Sequence, residues 1–156
     1  MDNTNTYSAK FKTIQLIYLA FILAVLVFAI VIIFLAEKPK YFTDMSDIFI
    51  YIVPVLSITG IFMSEYLFKT NLSSITSKDD LSSKLGKYTT ATLIKGSLLE
   101  APALLAAIAS HLSNNFIYLI FTAVLLLMMY LRFPKPSKFE GEVQLTMDEK
   151  SQFRRG

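Results

Sequence analysis

The sequence predicts an all-α integral membrane protein: a four-helix bundle with both termini on the cytoplasmic side. Three observations carry that expectation. The chain is 54% hydrophobic over 156 residues, and that content is gathered into long unbroken runs, which ordinary soluble domains do not do. The runs are about as long as the roughly 20 residues needed to cross a bilayer as a helix. Lys and Arg cluster in alternate connections, as expected when one side of the membrane retains the positive charge.

Residues 14–36 contain no charge, and 48–67 contain only Glu65. Residues 91–110 hold Lys95 and Glu100, and 116–131 are again uncharged. These runs predict helices at about 14–36, 47–68, 89–110 and 115–133, between a polar segment at 1–13 and a tail at 134–156. The first run is too long for a signal-peptide core and ends in Glu37-Lys38-Pro39, so it is expected to remain as a span. Lys10 and Lys12 precede it. Lys69, Lys78, Lys84 and Lys87 follow the second span, and Arg132, Lys135, Lys138, Lys150, Arg154 and Arg155 follow the fourth. Loop 1–2 has Lys38 and Lys40 offset by Glu37, Asp44 and Asp47, and the short loop at 110–115 has neither Lys nor Arg. The net charge of +3 is explained by this topology, so no nucleic-acid partner is expected.

The first span carries no polar side chain at depth and reads as a lipid-facing or generic packing surface. The second opens after Ser46 or Asp47, either of which can cap its free N–H groups. Pro54 removes a backbone donor and frees the Ile50 carbonyl, which bends the helix or admits a polar partner. Ser57, Gly60 and Ser64 follow at three- and four-residue spacing, a narrow small-residue stripe for close helix packing. Glu65 is expected to pair with Lys69 one turn on. Ser77-Lys78-Asp79-Asp80 reads as a helix start with Ser77 as its cap, extending the third helix outward through Leu81, Leu85 and Tyr88. Phe133-Pro134-Lys135-Pro136 ends the fourth helix. Beyond it a solvated tail is expected, although Thr146 and Glu149 have the spacing of a capping box.

Function is sought on the third helix. A carboxylate at bilayer depth costs a few kcal/mol, so Glu100 needs a partner or a task. Counting from Thr89, Lys95 lies about 9 Å in and Glu100 about 16 Å in. Lys95 can snorkel outward along its stem, whereas Glu100 cannot. Five residues turn the helix by about 140°, so the two do not share a face. Gly96 and Ser97 lie one turn from Glu100, and Pro102 frees the Leu98 carbonyl nearby. Burial disfavours the charged form, so Glu100 is expected to be neutral for much of the time. Glu100, Ser97 and Lys95 are therefore the candidate ion-binding residues. Ser57, Gly60, Ser64 and Gly96 are the packing positions, and Pro54 and Pro102 the kinks.

The stretch GKYTTATLIKGSLLEAPALL at 86–105 resembles the second helix of the proteolipid subunit c of rotary ATP synthases. That family places small residues before a carboxylate and then a small residue and apolar ones. The resemblance implies that Glu100 stands at the ion-carrying carboxylate. The whole chain also looks like small four-helix bacterial inner-membrane proteins.

Cysteine is absent, which excludes disulfides and thiolate metal sites. His111 is the sole histidine and reads as an interfacial residue at the outer end of the third helix. No nucleophile–base pair, phosphate loop or metal-ligand cluster is visible. The chain is therefore expected to be non-enzymatic and free of cofactors and metals. Its expected partners are the lipid bilayer and a second copy or a larger membrane complex; the rival expectation is proton or cation handling at Glu100.

Overall fold

The computed structural model describes residues 4–42 and 45–155, with helices as the regular elements. They are α1 (Thr4–Leu35), α2 (Phe49–Ser73), α3 (Leu81–Leu112), α4 (Ile117–Leu131), α5 (Pro136–Glu142) and α6 (Met147–Arg155). Residues 1–3 of the expected polar segment, Asp44 and the side chain of Arg155 lie outside the described residues. Three helices are long and apolar enough to cross a membrane: Tyr7–Leu35, Phe49–Ser73 and Leu81–Leu112. At 15 residues, α4 spans only about 22 Å. It makes a fourth candidate span when joined to α5, from which it is bent by 76°.

Helix α3 is central and packs on α2, α4 and α1. Its middle shares a core with α1 and α4 through Tyr18, Val25, Leu99, Ala103, Leu125 and Met129. The buried Thr122 hydroxyl ties α4 to α3 by donating to the Ala103 carbonyl at 3.1 Å. Most of α1 instead faces outward with large apolar side chains, Leu16, Leu23, Val27 and Phe34 among them. A water-exposed surface does not tolerate so long an apolar strip, whereas lipid does.

The elements depart from the sequence expectation at their ends. Helix α1 starts at Thr4, well before the apolar run, so the segment 1–13 is not simply a polar lead-in. Tyr7, Phe11, Ile14 and Tyr18 recur at four- and three-residue spacing, and the last three are buried, so one apolar face carries the helix outward. Helix α2 runs on to Ser73. Its last turns are held by Thr70 and Asn71, which donate back to the carbonyls of Tyr66 and Leu67 at 2.9 and 2.8 Å. Helix α3 has the outward extension, but its cap is Asp80, which accepts from the Ser83 amide at 3.2 Å. Ser77 is not the cap. Asp79 instead closes the preceding turn on the Thr76 amide and pairs with Lys87.

At one end of the bundle the α1–α2 and α3–α4 connections are joined. The Lys40 amide donates to the Asn114 carbonyl at 2.8 Å, and the Phe116 amide returns a bond to the Lys40 carbonyl at 2.9 Å. Asn114 takes φ 47°, a left-handed turn that asparagine accepts more readily than most residues. Asp47 accepts from the Phe49 amide at 3.0 Å and from the Tyr118 hydroxyl at 2.7 Å. Burial pushes its carboxyl up, but these bonds and one from Ser113 hold it below the ordinary value.

The other end brings together the first turns of α1 with α5 and α6. The tail is folded, not a solvated strand. Pro134 and Pro136 turn the chain, and Pro136 starts α5, where its fixed φ and missing N–H are harmless. The Thr146 amide donates to Glu149 at 2.7 Å and the Glu149 amide to the Thr146 hydroxyl at 3.3 Å, a formed capping box that starts α6. Phe139, Val143 and Phe153 bury themselves against Phe11, Leu85 and Tyr88. The rings of Tyr88 and Phe139 lie 4.9 Å apart, and those of Phe139 and Phe153 5.0 Å apart. The result is a second core that caps the bundle.

A buried ion pair closes the cap. Lys84, 1% exposed, donates to both Glu149 oxygens at 2.9 Å and to the Gln144 carbonyl at 3.1 Å. Burial pushes Glu149 up, but the bonds from Lys84 and Thr146 outweigh it and leave the carboxyl below its ordinary 4.5. A depressed carboxyl contributes stability above its unfolded value and loses it as pH falls through the folded one. Docking of α6 should therefore be constant above about pH 4.5 and weaken below it. Hydrogen exchange of α6 amides against pH measures this; acid-insensitive protection, or unchanged protection in Glu149→Gln, would contradict it.

Candidate functional site

Glu65, Lys95 and Arg132 come from three different helices and meet at the capped end of the bundle. Glu65 lies two turns before the end of α2, Lys95 on the adjoining part of α3, and Arg132 at the C-cap of α4. Lys95 Nζ is 3.1 Å from Glu65 Oε2, and Arg132 Nη2 is 3.6 Å from the same oxygen. Arg132 Nη1 also donates to the Ser64 hydroxyl at 2.9 Å, which donates in turn to the Ile61 carbonyl at 2.8 Å. Lys95 Nζ sits 3.9 Å from the centroid of the Phe68 ring, close enough for cation–π attraction. The pairing of Glu65 with Lys69 is thus replaced by an interhelical network. The Lys95 ammonium meets Glu65 and Phe68 rather than snorkelling free.

Above this network lies a cavity of about 250 Å³, roofed by Lys138 and Glu142 of α5 and walled by Tyr88 and Thr92 of α3. Lys138 Nζ donates to the carbonyls of Leu131 and Phe133 at 2.8 and 3.2 Å. It thereby satisfies acceptors left open where α4 ends.

The other predicted site residues do not gather. Glu100 is half-buried and has no ion pair or hydrogen bond to any described residue. Ser97 is exposed and donates to its own helix at the Leu93 carbonyl, 3.0 Å away, so it does not serve Glu100. The candidate set of Glu100, Ser97 and Lys95 is therefore split, with Lys95 on the opposite side of α3. The Leu98 carbonyl freed by Pro102 also points elsewhere: a Cβ on Gly60 would lie 2.6 Å from that oxygen and 2.9 Å from Pro102 Cγ. Ser57, Gly60 and Ser64 are all buried, so this stripe is used inside the chain, Gly60 against α3 and Ser64 against Arg132 at the end of α4. Gly96 makes a different contact, since a Cβ there would lie 3.0 Å from the rings of Tyr18 and Phe21 on α1. Pro54 lies inside an unbroken α2. His111 is exposed. Among the described residues, no group of three or more carboxylates and imidazoles is placed to hold a metal ion.

Sequence reasoning missed Arg132 and the Glu65 network. The usable signal was depth: Glu65, Lys95 and Arg132 each lie within a few turns of the same end of the bundle. Charges of opposite sign at one level in hydrocarbon are expected to find each other. Compared with known protein families, curated proteins and solved structures, this chain matches none.

Proposed function

We propose that this chain is a small multi-pass protein of a bacterial inner membrane. In this reading it has four spans and cytoplasmic termini, and it is non-enzymatic, acting through association with itself or with a larger membrane complex. The capped end carries most of the Lys and Arg residues, which supports the orientation. The observation that carries the association is Glu100. It is an acidic side chain midway along α3, next to the exposed Ser97 and Ala101, with no ion-pair or hydrogen-bond partner among the described residues. A carboxyl there gains from a donor supplied by a neighbouring helix, and polar side chains do tie helices together within membranes. The small-residue stripe does not argue for a partner, because the chain itself buries it.

A photo-crosslinker placed at Ala101 tests this in native membranes. The expected product is a discrete adduct with a second copy or another membrane protein, lost or reduced several-fold on Glu100→Leu. A monomeric protein with no adduct would end the association reading.

The same unpaired carboxyl supports a second reading, proton or cation handling at Glu100, as the subunit c resemblance implies. A carbodiimide should then label Glu100 with a pH dependence, and Glu100→Gln should abolish ion flux in liposomes. Unchanged flux in that variant would count against it.

A further inference from the structure

The polar cavity at the capped end has a chemistry that the association reading does not use. Its lining sets three cations, Lys95, Arg132 and Lys138, against two carboxylates, Glu65 and Glu142. The surplus is positive, which disfavours a metal cation. Arg132 commits two nitrogens, to Ser64 and Glu65. A guanidinium carries five N–H donors, so others remain for a ligand. Thr92, which also lines the cavity, is 3% exposed, and its hydroxyl makes no full hydrogen bond among the described residues. The Tyr88 phenol makes a weak side-chain hydrogen-bond contact with that hydroxyl, short of full bonding geometry. A buried hydroxyl left unpaired costs stability; beside surplus positive charge it is a donor suited to an anionic oxygen.

The position narrows the ligand. The cavity lies where the apolar stretches of α2, α3 and α4 give way to the cap, between the mid-bundle core and the aromatic core. For helices that cross a bilayer, this is the level of lipid phosphates, and basic pockets between helices at that level suit anionic headgroups. A guanidinium fork, an ammonium and a hydroxyl together match the tetrahedral oxygens of phosphate.

We propose that this cavity binds a phosphate-bearing anion, with Arg132 and Lys138 supplying charge and the Thr92 hydroxyl supplying a hydrogen bond. The phosphate comes from an anionic lipid headgroup or from a free phosphate. The two sources share one chemistry and are separated by experiment.

The full chain is purified in an alkyl maltoside, which carries no phosphate. Its thermal midpoint is then followed while phosphatidylglycerol or inorganic phosphate is titrated in. The wild type should be stabilised saturably. A response to lipid alone assigns a headgroup site; a response to inorganic phosphate assigns a site open to the free anion. Thr92→Val should weaken the apparent affinity about fivefold, the effect of one hydrogen bond, and Arg132→Lys about tenfold through loss of the fork. Without ligand, Thr92→Val should melt close to the wild type, because it removes a buried polar group that makes no full hydrogen bond; its weakened response is then not misfolding. Lys12→Gln, exposed on α1, should respond as the wild type does. No stabilisation by either source, or equal responses from wild type, Thr92→Val and Arg132→Lys, would overturn the proposal.

Discussion

Replacing Gly60 with leucine should cost about 3 kcal/mol, the upper part of the range for forced overpacking, and loosen α2 from α3. The added Cβ alone would lie 2.6 Å from the Leu98 carbonyl oxygen and 2.9 Å from Pro102 Cγ. The first neighbour is backbone and the second a ring within a helix, so neither can swing aside; the helices must separate. Alanine presents the same Cβ without the bulk. Both variants recover most of the roughly 1 kcal/mol of helix propensity that glycine lacks, so the difference is bulk alone, and Gly60→Ala should cost less than the leucine variant. Gly86 is the control. It lies in α3 with nothing within 4 Å of its Cβ position, and Gly86→Ala should be neutral or stabilising by up to about 1 kcal/mol. Reversible unfolding in mixed micelles reads all three, and equal stability of Gly60→Leu and wild type would refute the close approach.

The second large effect is expected in the cap. Phe139 is fully buried, with rings of Tyr88, Phe153 and Phe11 at 4.9, 5.0 and 6.0 Å. Truncating a buried phenylalanine to alanine costs about 3–5 kcal/mol through lost transfer energy and the cavity left behind. The cap is built from short helices: α5 has 7 residues and α6 has 9, too few to be stable alone. Phe139→Ala should therefore release α5 and α6 together while the apolar bundle persists. Limited trypsin digestion should cut at Lys150 and Arg154 many-fold faster in the variant, with helicity of the long helices nearly unchanged. If cleavage stays slow, the aromatic cluster is not what holds the tail. Simultaneous collapse of the bundle would instead make cap and bundle one cooperative unit.

Gly60 was legible as a packing position while its partner was not; Phe139, in a tail expected to be solvated, was not legible at all. Gly60 stood out between Ser57 and Ser64, and Pro102 stood out on α3. That the glycine faces the very carbonyl the proline frees is a relation between two helices, and no spacing within either one encodes it. Glu65 shows the same limit more sharply. Its local sequence offers Lys69 at helical spacing, and local pairing is the only kind a single helix can display. Burial decides otherwise, since Lys95 and Arg132 would stand uncompensated in an apolar bundle if Glu65 turned to Lys69, and leaving a buried charge unpaired costs more than a surface pair returns.

By itself the sequence determined the helical class, the apolar runs able to enter a membrane, the capping-box spacing of Thr146 and Glu149 though not the folded tail it starts, and the separation of Glu100 from Lys95 around the third helix. These follow from hydropathy and from the 3.6-residue turn, which are properties of single segments. Only the tertiary structure decided that the tail folds into a cap, that Glu65 joins Lys95 and Arg132, and that Thr92 is left facing a charged cavity. Each of these depends on segments far apart in the chain meeting at one level. Such meetings are set by the packing of α1, α2 and α4 around α3, where burial outweighs the preferences of any one helix.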